Sequence, residues 1–127
     1  MSDPLILILD DSELIASMLE MICAQLGYRT ATALLFSEVE PLIAQERPSA
    51  ILSDVNLPDL PADDPVSALR AIPALAETPI VLISGQDQGA LDALAASRGA
   101  QAAVSKDAGL PGMAAALAPT LARLAPR

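Results

Sequence analysis

The feature that most constrains the fold is a recurring order of short apolar run, polar residues and helix-like segment. The clear runs lie at Leu5–Leu9, Ala50–Leu52, Ile80–Ile83 and Ala102–Val104, and a weaker run spans Tyr28–Ala33. This order predicts five strands alternating with five helices. Because the runs are continuously apolar, we expect strands that are covered by helices on both faces, which means a parallel sheet with right-handed crossovers.

The first helix has the clearest pattern. Its predicted apolar stripe consists of Leu14, Ile15, Met18, Leu19, Ile22 and Leu26. Ser12 is suited to the N-cap of this helix, and Gly27 is suited to the position just after its C-cap. Cys23 is the single cysteine of the chain and lies within the same pattern, so we expect it to fill the core.

The later helices are interrupted by prolines. Periodic segments at Phe36–Gln45 and Val66–Leu75 predict two of them. The last helix is predicted from apolar residues, mostly leucines, that recur every three or four positions from Leu110 to Leu124. Pro119 lies inside that repeat, and we expect a kink or early fraying of the helix there.

Composition limits the domain organisation and the kind of ligand. A chain of 127 residues is the length of one ordinary domain, so residues 1–127 are expected to form a single unit. The net charge of −9 argues against binding to DNA or RNA. The chain has no apolar stretch of about 20 residues and no signal-peptide pattern at its start. We therefore expect a cytoplasmic protein that does not enter the membrane.

Acidic and polar residues follow the predicted strands at the points where the strands end. Asp10 and Asp11 follow the first strand, Asp54 the third, Ser84 the fourth and Lys106 the fifth. The carboxyl ends of parallel strands meet at one edge of a sheet, where ligands bind. Two carboxylates about 4 Å apart repel by roughly 4 kcal/mol at an effective dielectric constant near 20, so three of them favour a bound divalent cation.

The available ligands indicate which cation this is. The chain contains no histidine, so the ligands are hard oxygens, which favour Mg²⁺ or a similar ion over zinc. Lys106 is the only lysine, and its place beside the acids predicts a role as their counter-charge. With a cation and an ammonium neutralising the incoming oxygens, a carboxylate can act as a nucleophile toward phosphorus.

These motifs, in this order, resemble the signature of the receiver-domain family of response regulators in two-component signalling, and the resemblance covers essentially the whole chain. The residues that carry it are Asp10-Asp11, Asp54-Val55-Asn56-Leu57-Pro58, Ser84-Gly85 and Lys106. The resemblance implies a flavodoxin-like, doubly wound α/β fold with strand order 2-1-3-4-5, the order of the chemotaxis-type members. It also implies a bacterial, cytoplasmic phosphoprotein.

The same resemblance implies a role for each residue at the metal. Asp54 would be the phosphoacceptor and a ligand of Mg²⁺. Asp11 would bind Mg²⁺ directly, and Asp10 would hold the ion partly through water. Asn56 would offer its backbone carbonyl to the ion.

The remaining roles concern the phosphoryl group. Ser84 would hydrogen-bond a phosphoryl oxygen and move toward it on activation, while Lys106 would pair with the same group. The implied donor is a phosphohistidine on a sensor histidine kinase or a histidine phosphotransfer protein. A downstream protein would read the result, and the chain would be a monomer or a phosphorylation-dependent homodimer.

Ala103 and Asp107 are among the positions that depart from the family pattern. Ala103 stands where the family usually carries an aromatic residue that rotates inward on activation, and alanine has no rotamers. We therefore expect the switch to run through the loop after Ser84 or through another surface. Asp107 stands where the family usually has proline, and its charge is expected to weaken retention of the phosphoryl group.

The sequence is compatible with three functions. The leading one is a signalling module whose only chemistry is self-phosphorylation and autodephosphorylation on Asp54. A Mg²⁺-dependent aspartyl phosphohydrolase is a second, although such enzymes usually carry an acid two residues after the nucleophile, where this chain has Asn56. The third is a degenerate receiver that acts as a scaffold or dimerisation module without phosphorylation, a reading that Ala103 and Asp107 keep open.

Overall fold

Five parallel strands form one sheet in the order β2-β1-β3-β4-β5 in the computed structural model, which describes residues 3–61 and 63–127. The strands are β1 (Leu5–Leu9), β2 (Arg29–Ala33), β3 (Ala50–Asp54), β4 (Ile80–Ser84) and β5 (Ala102–Ser105). All four pairings between neighbours are parallel. The doubly wound flavodoxin-like order is thereby confirmed.

Five α-helices connect and follow the strands, as predicted. They are α1 (Glu13–Gln25), α2 (Val39–Gln45), α3 (Pro65–Arg70), α4 (Gln88–Arg98) and α5 (Gly109–Leu124). Short 3-10 helices cover Phe36–Glu38, Pro73–Leu75 and Lys106–Ala108. No helix in the described part of the chain is both long enough and apolar enough to cross a membrane.

The segment predicted as one helix over Val66–Leu75 is two separate elements. Helix α3 ends at Arg70, and Ile72 adopts extended backbone angles immediately before Pro73. A proline disfavours helical angles at the residue before it and has no N–H for the helical ladder, so α3 cannot continue through this point. The Phe36–Gln45 segment likewise consists of a 3-10 turn followed by α2.

The core consists of two apolar layers, one on each face of the sheet. Helices α1 and α5 cover one face, where Leu19 and Leu117 are fully buried. Helices α2, α3 and α4 cover the other face, where Leu69 and Leu91 are fully buried. Cys23 fills the first layer as predicted, and burial raises the pKa of its thiol to about 12, so it stays protonated at neutral pH.

The caps of α1 agree with the sequence pattern, but one residue of the predicted apolar stripe, Leu14, does not belong to it. Ser12 accepts a hydrogen bond from the backbone N–H of Ile15, and Gly27 follows the C-cap with a φ of 91°. Leu14, however, is 71% exposed. It lies about 100° around the helix from Ile15 and shares the solvent face with Met21, seven residues later.

Of the two outcomes expected at Pro119, the early fraying is wrong, and the kink stays a prediction. Helix α5 continues through this residue to Leu124. Leu117 and Leu121 are fully buried on either side of the proline and hold both parts of the helix against the core. The Thr120 hydroxyl also donates a 2.9 Å hydrogen bond to the carbonyl of Ala116, in the turn that the proline disturbs.

Candidate functional site

Three carboxylates meet at the carboxyl edge of the sheet. Asp10 and Asp11 follow β1, and Asp54 is the last residue of the adjacent strand β3. One oxygen from each of the three lies within 4.8 Å of the other two. Asp10 and Asp54 are buried while Asp11 is exposed, so the cluster opens to solvent on the side of Asp11.

Asp10 has one satisfied and one unsatisfied carboxylate oxygen. Its side chain is 1% exposed, and Oδ1 accepts a 2.9 Å hydrogen bond from the Ser12 backbone N–H. Oδ2 lies 3.2 Å from the ammonium of Lys106 but accepts no hydrogen bond from any described residue. Oδ2 therefore keeps lone pairs that no described donor uses, and it can face a further cation beside the Lys106 ammonium.

Lys106 brings a positive charge to the acidic edge. It begins the 3-10 helix after β5, and its Nζ lies 3.2 Å from Asp10 Oδ2 and 3.5 Å from Asp54 Oδ1. One ammonium thus faces three acids, of which it neutralises only one formal charge. The site keeps a net negative charge that a divalent cation can balance.

The environment of Asp54 raises the pKa of its carboxyl above the ordinary value. Burial is the main cause of the raised pKa of this carboxyl, and the charge of Asp10 and, more weakly, that of Asp11 raise it further. The Lys106 ammonium and a 3.4 Å hydrogen bond from the Asn56 backbone N–H lower the pKa, but they do not cancel the rise. A bound cation would oppose the rise by stabilising the carboxylate.

Asn56 borders an open cavity next to Asp11. The cavity has a volume of about 540 Å³ and is lined by Asp11, Val55, Asn56, Leu57, Pro58, Leu60 and Asp63. This space reaches the exposed side of the acidic cluster. An ion held there could keep water and phosphoryl ligands in addition to protein oxygens.

The residues at this edge fit Mg²⁺. Every candidate ligand is an oxygen, and the described residues bring no histidine or thiol to the edge. The unsatisfied Oδ2 of buried Asp10 is a specific observation in favour of a cation. Mg²⁺ is commonly held by one or two carboxylates with water and phosphate in its remaining positions, and the open cavity allows this.

Ser84 ends the strand next to that of Asp54. In the register of the sheet Asp54 lies opposite Ile83, so Ser84 is one residue further toward the same edge. Ser84 is 4% exposed, and its hydroxyl accepts a 3.3 Å hydrogen bond from the Gln86 backbone N–H. Ser84 is thus brought to the acidic edge, with its hydroxyl hydrogen-bonded to the loop that leads into α4.

One positioning residue was missed in the sequence. The carboxylate of Asp59 accepts hydrogen bonds from the backbone N–H groups of Phe36 and Ser37, at 2.8 and 3.0 Å. These bonds are the main cause of its lowered pKa, and they tie the loop after β3 to the loop after β2. No local pattern indicates this contact, because its partners lie more than twenty residues away.

Ala103 and Asp107, which depart from the family pattern, lie on either side of Ser105 in the sequence. Ala103 is half-buried and packs against the apolar layer that includes α4. Asp107 is exposed, and its backbone N–H donates a 3.2 Å hydrogen bond to the Ser105 hydroxyl. Hydrogen bonds connect both positions to the segment that leads from β4 into α4, directly for Ala103 and through Ser105 for Asp107.

The strand order and the ligand-bearing edge define a doubly wound α/β protein of the flavodoxin-like class. Within that class, the model of the response regulator receiver domain matches residues 6–118. The chain therefore belongs to the response regulator receiver domain family, the receiving module of two-component signalling.

Comparison with individual proteins gives the same picture. The transcriptional regulatory protein YxdJ of Bacillus subtilis is 35% identical over 81 residues, which is 64% of this chain and 34% of YxdJ. The chain thus matches about a third of the length of this curated relative. The chemotaxis response regulator CheY4 of Vibrio cholerae has a similar structure, with a TM-score of 0.77 at 25% identity, over 97% of this chain and 99% of that one. The receiver domain of NtrX from Brucella abortus has a TM-score of 0.76 at 27% identity, over 94% and 96% of the two chains.

Proposed function

We propose that this receiver domain accepts a phosphoryl group on Asp54 in a Mg²⁺-dependent reaction, and that the modification changes a protein-interaction surface. The carrying observation is the buried Asp54 carboxylate, which shares an edge with two other acids and lies 3.5 Å from the single lysine. A sensor histidine kinase or a histidine phosphotransfer protein would be the donor. Residues 1–127 would act as one receiver domain in the cytoplasm, and a downstream protein would read its state.

Four residues are proposed to hold the metal. Asp11 and Asp54 would bind it directly, Asp10 would act partly through water, and Asn56 would contribute its backbone carbonyl. Bound Mg²⁺ would supply charge neutralisation for the incoming phosphoryl oxygens. Asp10 is also hydrogen-bonded to Ser12, which fixes the orientation of its carboxylate relative to Asp54.

The proposed reaction is an in-line transfer between two nucleophiles. An oxygen of Asp54 attacks phosphorus, the P–N bond to the donor histidine breaks, and its electron pair stays on the imidazole, which takes a proton from solvent. Lys106 and Ser84 would bind the phosphoryl oxygens. Attack by water on phosphorus later restores the Asp54 carboxylate and releases phosphate, so the chemistry is limited to the protein's own phosphorylation and dephosphorylation.

A scaffold function without phosphorylation is the alternative that a specific observation favours. Ala103 lacks the side chain through which the family usually transmits the signal, and Asp107 adds a negative charge beside Lys106. A binding module that has lost its response would tolerate both changes. This alternative predicts that phosphate analogues leave the protein unaffected.

Binding of beryllofluoride separates the two functions. With Mg²⁺ and beryllofluoride at about 100 times the dissociation constant, binding adds about 2.7 kcal/mol to the free energy of unfolding, which corresponds to a rise in melting temperature of roughly 10 °C. Asp54→Ala should show no rise. A wild type that does not respond would support the scaffold function and overturn phosphorylation on Asp54.

Metal binding is tested separately with Asp11→Ala. Loss of this exposed carboxylate should weaken the affinity for Mg²⁺ by at least about tenfold, because a ligand contributes no less than the outer residues that orient it. Titration calorimetry without any phosphate analogue measures the effect, and Asp63→Ala is the matched control at the same cavity. Equal affinities of wild type and Asp11→Ala would remove Asp11 from the metal site.

A further inference from the structure

The side chain of Gln88, the first residue of α4, bridges the helix to the edge of β5. Its Nε2 donates hydrogen bonds to the Ala103 carbonyl at 2.9 Å and to Asp92 Oδ1 at 2.8 Å. Its Oε1 accepts a 3.0 Å hydrogen bond from the Ser105 backbone N–H. The amide of Gln88 thus pairs with main-chain groups of β5 as a neighbouring strand would.

The position of β5 in the sheet explains why its main-chain groups are available to the Gln88 side chain. β5 is the last strand of the sheet, so its outer edge has no partner strand. The carbonyl of Ala103 and the N–H of Ser105 lie two residues apart and therefore point to the same side of the strand. Gln88 closes this part of the edge, which would otherwise offer unpaired donors and acceptors.

The small side chain of Ala103 is compatible with this arrangement. Ala103 packs on the face of the sheet that α4 covers, where Leu91 and Ala95 of the same helix are buried. The carbonyl that Gln88 binds thus belongs to the residue that stands in place of the family's aromatic group.

The Ser105 hydroxyl makes a second connection between the same elements. It donates a 2.7 Å hydrogen bond to the carbonyl of Gln86, which lies in the connection between β4 and α4. The N–H of Gln86 in turn donates to the hydroxyl of Ser84. Ser105 is also the residue before Lys106, whose ammonium pairs with Asp54. A continuous set of contacts therefore links the Asp54 site to β5 and α4.

We propose that Gln88 and Ser105 form a latch that holds residues 85–87 and the start of α4 against β5, and that phosphorylation of Asp54 opens it. This proposal rests on the proposed function of Asp54. Movement of Ser84 toward a phosphoryl oxygen pulls on Gln86, because the two are hydrogen-bonded and only two residues apart. The Gln86 carbonyl then withdraws from Ser105, and Gln88 follows as part of the same segment.

Opening the latch has a structural consequence for the output. The Ala103 carbonyl and the Ser105 N–H lose their partner, so the edge of β5 can accept a new one. Contacts that are broken on activation oppose activation, because the activating ligand must supply the free energy that breaking them costs. Removing the latch should therefore make the protein easier to activate.

The first experiment tests the latch in the resting protein and needs no phosphate analogue. Amide hydrogen exchange of Ser105 is compared among wild type, Gln88→Ala and Gln25→Ala, where Gln25 is a solvent-exposed glutamine on α1. Exchange of Ser105 should be roughly three- to tenfold faster in Gln88→Ala only, as expected for one lost hydrogen bond. Val104, whose N–H points to the opposite side of the strand, toward β4, should exchange as in wild type. An unchanged rate for Ser105 overturns the latch.

The second experiment tests coupling to the Asp54 site. In wild type, beryllofluoride with Mg²⁺ should raise the exchange rate of the Ser105 amide. Gln88→Ala and Ser105→Ala should bind beryllofluoride roughly three- to tenfold more tightly than wild type or Gln25→Ala. If wild type binds the analogue while the Ser105 amide stays protected, the proposed function stands and the coupling is overturned. If wild type does not bind the analogue, both the proposed function and the coupling are overturned. The first experiment, in the resting protein, then still decides whether the latch exists.

Discussion

The acidic edge and the α4–β5 side of this receiver domain differ in how closely they follow the family pattern. At the acidic edge, Asp10, Asp11, Asp54 and Lys106 carry the resemblance to the family and lie together in space. On the α4–β5 side, Ala103 replaces the usual aromatic residue, and the side chain of Gln88 occupies the edge of the strand instead. The proposed acceptance of a phosphoryl group and the proposed response to it would therefore depend on separate sets of residues.

The physical basis of the two regions also differs. The acidic edge depends on charge, so a substitution there changes large electrostatic terms in a partly buried site. The α4–β5 side depends on a few hydrogen bonds at a half-exposed edge, each of which contributes about 1 kcal/mol at most sites. Substitutions should therefore have large effects at the acidic edge and small effects at the latch.

The largest effect is expected for Lys106→Met. The change keeps most of the aliphatic stem but leaves Asp10, whose side chain is 1% exposed, without a counter-charge. Breaking a buried ion pair costs roughly 3–5 kcal/mol, and since Lys106 is itself partly exposed we expect a loss of about 2 kcal/mol in the free energy of unfolding. Urea denaturation at neutral pH in the presence of a chelator measures it.

A double variant provides the control for that prediction. Adding Asp10→Asn removes the uncompensated charge, so the pair of substitutions should recover much of the lost stability. If Lys106→Met is as stable as wild type, the acidic edge does not depend on the lysine, and the contrast between the two regions fails.

A second effect at the acidic edge is a dependence of stability on pH in the metal-free protein. The pKa of Asp54 is raised in the folded protein. The contribution of its protonated carboxyl to the free energy of unfolding is therefore fully present below the ordinary pKa of 3.8 and is lost as the pH rises through the raised pKa. Metal-free wild type should therefore lose stability relative to Asp54→Asn as the pH rises from about 4 toward neutrality. Denaturant titrations at several pH values measure this, and parallel curves for the two proteins would contradict it.

The smallest effect is expected at Asp107, where the two regions meet. Asp107→Asn removes the negative charge beside Lys106 and should lengthen the lifetime of the phosphorylated protein by a small factor. Asp107→Pro also removes the N–H that donates to Ser105, so it should loosen the latch in addition. Decay of the phosphorylated form measures the first effect and exchange of the Ser105 amide the second. Identical lifetimes of wild type and both variants would exclude a role for this charge.

Much of the fold could be predicted because its signals are local. The apolar runs and the caps at Ser12 and Gly27 lie within a few residues of the elements that they define. The strand order could not be derived in this way and came from the resemblance to a family. The error at Leu14 arose because a leucine one position off the stripe is indistinguishable by composition from one on it, and only the packing of α1 shows which face is buried.

The candidate site was predictable to the extent that it depends on strand ends. In a parallel sheet the residues after each strand meet at one edge, so a sequence pattern is enough to bring Asp10, Asp54 and Lys106 together. The latch was not predictable, because the contacts of Gln88 depend on where α4 begins and on which edge of β5 is open. Asp59 was missed for the same reason, since its partners come from a distant loop.

Phosphorylation by a small-molecule donor tests the central claim most directly. Wild type is incubated with acetyl phosphate and Mg²⁺, and intact-mass measurement with peptide mapping locates the modification. We expect one phosphoryl group on Asp54, which disappears when a chelator replaces Mg²⁺ and is absent from Asp54→Asn. An unmodified wild type, or equal modification of wild type and Asp54→Asn, would contradict the claim.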